Sequence, residues 1–186
     1  YGYQMYGVPV SGAMDEFALR AANLLLGNDH RAAGLEMTVL GPAIRFLTDT
    51  WIAVTGADLS PQLDRNPFPR WQAVKAPEGS MLSFQGMQDG MRGYLAVAGG
   101  IDVPVVMGSR STYLKGAFGG FEGRPLRRGD VISTFPTEEG AGFVPRRFPE
   151  GYQPASYGKQ HELRVILGPQ HSSFGPESIV AFWGSR

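Results

Sequence analysis

Apolar residues recur at helical spacing once, near the start of the chain, and thereafter in short runs of period two. Phe17, Ala21, Leu24 and Leu25 share one face of a helix predicted over residues 16–26. Ser11 or Asp15 can cap its start, and Gly27-Asn28 supplies its stop. Residues 43–47 and 51–55 read as strands around the turn Thr48-Asp49-Thr50. Residues 71–75 and 81–84 read likewise around Pro77-Glu78-Gly79. Residues 93–98, apolar on both faces and followed by Gly99-Gly100, predict a central strand that ends in a sharp bend. Further strands are expected at 131–135 and 163–167.

Punctuation by 26 glycines and 14 prolines fits many short strands joined by turns. The pattern predicts a mainly β fold, an antiparallel meander that closes as a barrel. Residues 136–160, rich in Gly, Pro, Glu and Arg with little periodicity, read as a loop or linker. They would separate a main β-barrel domain, 1–135, from a second lobe beginning in 161–186.

Charge and cysteine content narrow the function classes. Seventeen basic and seventeen acidic residues cancel, so no global field draws the chain to nucleic acid or to an anionic membrane. A charged ligand must be held locally. The absence of cysteine removes disulfides, thiol nucleophiles and cysteine-ligated zinc, and suits a cytoplasmic protein. No signal-peptide pattern opens the chain, and no apolar run approaches the roughly 20 residues that span a bilayer. His30, His161 and His171 have no metal-ligand spacing, so no metal site is expected. "GAFGGFEGRP" matches neither dinucleotide nor P-loop signatures, and no nucleophile-elbow motif is present.

Five stretches carry candidate chemistry. "GSRST" sets Arg110, Ser111 and Thr112 beside a flexible glycine, where a guanidinium, hydroxyls and backbone N–H groups could converge on a carboxylate or phosphoryl group. The alternative is a polar turn that satisfies its own backbone. Arg92 and Tyr94, two apart on a strand, point to one face, although Arg92 could equally be an exposed ion-paired residue. Thr55 and Asp58 follow a strand and could sit at a barrel mouth, with Asp58 as a turn residue the alternative. Glu36 is a lone acid among apolar neighbours, a candidate acid or base if buried and otherwise a surface glutamate. The loop holding Ser11 and Asp15 adds a helix N-terminus that could face an anion.

The ordered motifs "GVPVSGAMD", "AANLLLGN", "LE" with "GP", "TGAD", "GMRGYLAVAGGIDVPVVMGSRST", "GGFEGRPLRRGD" and "LRVILGPQ" resemble the family of the C-type 5-oxoprolinase subunit. That family includes KipA-type proteins, the so-called allophanate hydrolase subunit 2 and the carboxyltransferase domain of urea carboxylase. The resemblance implies a cyclophilin-like antiparallel β barrel and a part in the multisubunit, ATP-dependent opening of 5-oxoproline to glutamate. It implies partnership with a B-type (KipI-type) protein and with an A-type one, and ATP used by the complex without a cofactor bound by this chain alone. Arg92, Arg110 and Glu36 would then be catalytic. Ser11, Asp15, Thr55, Asp58, Tyr94, Ser111 and Thr112 would bind substrate. Two other implications are a carboxyltransferase or urea amidolyase-related module taking carboxybiotin from a partner, and a KipA-type regulator that binds a kinase inhibitor. The family's S-D-R-M-G element is missing and the chain starts inside what is usually a longer N-terminal segment, so the second barrel-type lobe is expected to be incomplete.

Overall fold

A computed structural model describes residues 2–137, 145–153, 157–158, 162 and 164–184. Helix α1, Glu16–Leu25, starts where the Asp15 side chain accepts the Ala18 N–H at 2.9 Å, which satisfies one of the orphan donors of the first turn. It buries Ala18, Ala21, Ala22 and Leu25, while Phe17 and Leu24 stay half exposed. The expected face is thus rotated toward small residues. Ala22 meets Ala53, Ala73 and Ala96 on the sheet beneath, and methyl-sized side chains let the helix lie close to it. Phe17 turns sideways instead, 6.2 Å from the Trp71 ring and 5.7 Å from the Phe148 ring.

Eight strands form two antiparallel sheets: β1 Leu35–Thr38, β2 Ile44–Arg45, β3 Thr50–Asp58, β4 Pro61–Leu63, β5 Asn66–Pro67, β6 Ala73–Ala76, β7 Met81–Phe84 and β8 Asp89–Val97. One sheet runs β1-β8-β3-β6 and the other β2-β7-β4-β5. Met37, Ile52, Val54 and Leu95 of the first face Leu82 and Phe84 of the second across one core. Each such fully buried side chain contributes about 1.5–3 kcal/mol.

The fold is mainly β and antiparallel, but the expected barrel does not close. Among the described residues, β1, β6, β2 and β5 are edges with no further strand beside them. At two residues each, β2 and β5 are too short to extend a ladder, and Pro67 offers no N–H. Residues 131–135 also depart from expectation. They form no strand, only a bridge between Thr134 and Ile101. Of the strand expected at 163–167, residue 163 lies outside the described residues and 164–167 are exposed and irregular. Helix α2, Pro176–Gly184, is not expected from the apolar pattern. Of the stretch read as linker, residues 138–144, 154–156 and 159–160 lie outside the described residues, as does His161. Within the described part, Phe148 packs on Trp71 at 5.5 Å and its N–H donates to the Trp71 carbonyl at 2.8 Å.

Gly56 marks a bulge in the pairing of β3 with β8, which resumes at Asp58 opposite Asp89. Its φ of +77° coincides with the register shift before Asp58, and a Cβ there would stand 2.5 Å from the Arg92 carbonyl oxygen. Gly79 has nearly the same φ, +80°, with open space around it. Gly79→Ala is therefore expected to cost only the left-handed penalty of about 1–2 kcal/mol, and Gly56→Ala at least about 2 kcal/mol more because backbone must move. Urea unfolding of the two variants measures the difference.

Candidate functional site

Glu36 and Tyr94 are directly opposed in the β1–β8 register, with Thr38 opposite Arg92. Alternation on β8 sends Arg92 and Tyr94 to the same face, so one carboxylate on β1 reaches both. Arg92 Nη1 donates to Glu36 Oε1 at 2.6 Å and to Thr38 Oγ1 at 3.1 Å, while Tyr94 Oη donates to Glu36 Oε2 at 2.8 Å. The Met14 N–H donates to the same Oε2 at 2.8 Å, and the Asp15 N–H donates to Tyr94 Oη at 2.7 Å. The acid that reads as isolated in the sequence thus collects donors from β8 and from the loop ahead of α1. Tyr94 is fully buried, and burial, reinforced by the Glu36 and Asp15 charges, pushes its phenol well above the usual tyrosine range. It remains a proton donor at neutral pH.

Asp15 has two duties. Oδ1 caps α1, and Oδ2 accepts the Tyr157 hydroxyl at 2.8 Å. Burial and this hydrogen bond push the Tyr157 phenol up as well. No periodicity in the sequence marks Tyr157; only three-dimensional proximity reveals it.

"GSRST" is built on a two-residue hairpin. Met107 and Gly108 have φ of +51° and +75°, and Val106 and Ser109 exchange backbone hydrogen bonds at 2.8 and 3.0 Å, the pattern of a type I′ turn. Ser109 Oγ then accepts the Ser111 N–H at 3.1 Å, and Ser111 Oγ lies 2.8 Å from Ser109 Oγ and 3.0 Å from Ser11 Oγ. Three hydroxyls therefore join two loops 100 residues apart. Gly120 leaves room for Thr112, whose side chain a Cβ at that position would overlap. Arg110 donates to the Val103 carbonyl, and its guanidinium lies 4.8 Å from the centre of the Phe135 ring.

These groups line an open cleft of about 1290 Å³. Ser11, Glu36, Arg92, Tyr94, Arg110, Ser111 and Thr112 all contribute to its wall. Arg20, His30, Arg31 and Arg124 add to it without standing out in the sequence as site residues. Asp15, Thr55 and Asp58 stand outside the lining. Thr55, fully buried, donates to the Ala18 carbonyl at 2.7 Å and fastens α1 to β3. Asp58 accepts the Ser60 N–H at 2.9 Å and pairs with Arg70 at 3.1 Å, on the far side of the bulge at Gly56.

Charge in the cleft is unevenly neutralised. Arg20 pairs with Glu16, Arg92 with Glu36, and Arg124 with both Asp130 and Glu122. Among the described residues, neither Arg31 nor Arg110 has a carboxylate within ion-pair distance of its side chain, and Arg110 has the Val103 carbonyl and the Phe135 ring as partners. Its charge is available to an anion. No group of three or more potential ligands among the described residues could hold a metal ion, and none of their helices is long and apolar enough to cross a membrane.

The profile described as carboxyltransferase domain, subdomains A and B, matches residues 6–186. The chain belongs to this carboxyltransferase-domain family. It is 41% identical over 187 residues to the C-type subunit of 5-oxoprolinase from Escherichia coli, covering all of this chain and 57% of that protein. It is 40% identical over 190 residues to urea amidolyase of Saccharomyces cerevisiae, covering all of this chain and 10% of that protein. The solved urea carboxylase of Kluyveromyces lactis superposes with a TM-score of 0.73 at 37% identity, over 80% of this chain and 14% of the other. The carboxyltransferase-domain chain thus spans little more than half of the shortest of these relatives, all of them components of enzyme systems.

The Arg124–Asp130 pair gives the cleft rim of this family member a defined acid limit. Hydrogen bonds from Arg124, then from the Arg127 N–H, lower the Asp130 carboxyl from an ordinary 3.8 to about 2. A depressed folded-state value means the pair stabilises above pH 3.8 and loses that contribution as pH falls toward 2. The difference in Tm between wild type and Asp130→Asn is expected to be constant from pH 7 to about 4.5 and to shrink between about pH 4 and 2. Thermal melts across that range check it.

Proposed function

We propose that this chain is part of a C-type subunit of an ATP-dependent 5-oxoprolinase, which works with a B-type partner to activate the lactam before an A-type partner completes ring opening to glutamate. The observation that carries the reading is Arg110, a cleft cation with no carboxylate partner among the described residues, held in place by Val103 and Phe135. The match to the C-type 5-oxoprolinase subunit along the whole of this chain, at 41% identity, supports it.

Amide resonance protects the lactam, so opening requires a strong nucleophile or prior activation of the carbonyl. Transfer of a phosphoryl group from ATP to the carbonyl oxygen releases ADP. Water then adds at the carbon, the C–N bond breaks to free the amine and leave an acyl phosphate, and a second water cleaves the acyl phosphate to the carboxylate of glutamate and inorganic phosphate. Negative charge gathers on oxygens throughout. A guanidinium can grip two of them, with Ser111 and Thr112 hydroxyls donating alongside. Arg92 is already engaged by Glu36, so its part is to hold the carboxylate and shape the wall, with the remaining N–H groups turned to substrate. The cleft is much wider than a single lactam ring, which fits a site finished by a partner.

A second reading has its own support. The family profile and the 40% identity to urea amidolyase favour a carboxyltransferase module, in which the same cleft would take the carboxylate of carboxybiotin from a partner. Reconstitution of the full-length protein with its B-type and A-type partners separates the two. ATP-dependent formation of glutamate supports the first, and transfer of labelled carboxylate from biotin to an acceptor supports the second.

Two outcomes are expected in that system. The isolated chain turns over neither ATP nor 5-oxoproline, and robust ATP hydrolysis by it alone would count against the proposal. Arg110→Lys keeps charge but loses the planar fork, so steady-state turnover is expected to fall about 100-fold. Because Arg110 also holds Val103 and Phe135, a loss of about 1 kcal/mol in stability is expected beside it. A fully active, equally stable variant would remove Arg110 from the site.

A further inference from the structure

We propose that Tyr157 is a positioning residue for the cleft, fixing through Asp15 the loop that carries Ser11 and the start of α1; the inference rests on the function proposed above. Tyr157 lies outside the cleft lining, and its hydroxyl is one end of a continuous series of hydrogen bonds. Tyr157 Oη donates to Asp15 Oδ2 at 2.8 Å, the Asp15 N–H donates to Tyr94 Oη at 2.7 Å, and Tyr94 Oη donates to Glu36 Oε2 at 2.8 Å. Glu36 Oε1 receives Arg92 at 2.6 Å. A group on a distant segment is thereby coupled to a cleft arginine through Asp15, Tyr94 and Glu36.

Tyr157 is itself held by independent contacts. The Asp89 carboxylate accepts the Tyr157 N–H at 2.8 Å and the Gly158 N–H at 3.1 Å, which anchors the backbone at the start of β8. The ring covers Gly90, where a Cβ would come within 2.7 Å of Tyr157 Cδ2. Backbone and ring are thus secured without the hydroxyl, which is left to serve Asp15. Asp15 needs that service. Its Oδ1 is committed to the Ala18 N–H, so without Tyr157 the half-buried Oδ2 loses its hydrogen bond and the carboxylate can rotate off the cap. The loop ahead of α1 would then loosen at Met14, which donates to Glu36, and at Ser11, which meets Ser111.

Tyr157→Phe tests this, because it keeps the ring over Gly90 and removes only the hydroxyl. In the full-length protein, amide exchange at Asp15 and Met14 is expected to accelerate about 10-fold while exchange in β3 stays unchanged. In the assembled enzyme, kcat is expected to fall about 10-fold with KM changed less than about 2-fold, the signature of misplaced rather than missing contacts. Combined with Tyr94→Phe, the kcat losses should be less than multiplicative, because both changes interrupt one series. A lower Tm with kcat unchanged assigns Tyr157 to folding alone and overturns the proposal, as does unchanged exchange at Asp15. If the wild-type assembly shows no 5-oxoproline turnover, the function proposed above fails. The exchange result then decides the Tyr157–Asp15 coupling by itself.

Discussion

A phenol hydroxyl buried between a helix and a sheet has to be hydrogen-bonded, and the satisfaction of Tyr94 organises the rest of this molecule. Leaving such a group unpaired costs roughly 1–3 kcal/mol. Its donor goes to Glu36 on β1 and its acceptor takes the Asp15 N–H at the start of α1, so β8, β1 and the helix entry are fixed relative to one another at a single oxygen. Thr55 supplies a second tether from β3 to the Ala18 carbonyl. Among the described residues no buried side-chain polar atom lacks a partner. Ala22, Ala53, Ala73 and Ala96 line part of the contact of α1 with the sheet and let the two approach closely there.

The same constraint shapes the chemistry. Glu36 is drawn to Tyr94 and Met14, and there it neutralises Arg92, leaving Arg110 as a cleft cation without a carboxylate opposite it among the described residues. A chain with no net charge can in this way present a local positive site. The hydroxyls of Ser11, Ser109 and Ser111 brace the loop that carries Arg110 against the loop that precedes α1. Both walls of the cleft are therefore tied to the Tyr94 network.

Legibility in the sequence follows how local each signal is. Asp15 and Gly27 mark α1 correctly because caps act within one turn, and β8 stands out because its centre is apolar on both faces. The buried face of α1 is only partly legible in the pattern: Ala21 and Leu25 are buried as expected, whereas Phe17 and Leu24, which outweigh alanines in any count of hydrophobicity, stay half exposed and Ala18 and Ala22 take their place. Strand β1 is hidden because it is only four residues long, with Met37 buried and Leu35 partly buried against the core between polar neighbours. Helix α2 carries the local signs of a start, Pro176 with Glu177 in the first turn, but its apolar residues form one continuous run, 179–183, without the polar–apolar alternation of an amphipathic helix. Arg92 and Tyr94 share a face by simple alternation, whereas their partner Glu36 depends on a pairing 56 to 58 positions away that no local pattern encodes. Thr55 and Asp58 lie close together in sequence, yet the bulge at Gly56 sends one under the helix and the other to Arg70. Tyr157 carries no signal at all.

In the proposed function, an anionic or carbonyl oxygen of the substrate is received by Arg110 in a cleft whose wall is held by the Tyr94 network. A structure of the assembled full-length enzyme with 5-oxoproline bound tests this most directly. The predicted result is a substrate oxygen within hydrogen-bond distance of the Arg110 guanidinium, with Arg92–Glu36–Tyr94 intact behind it. Substrate bound elsewhere, or an Arg92 swung away from Glu36 to bind it, would contradict the proposal.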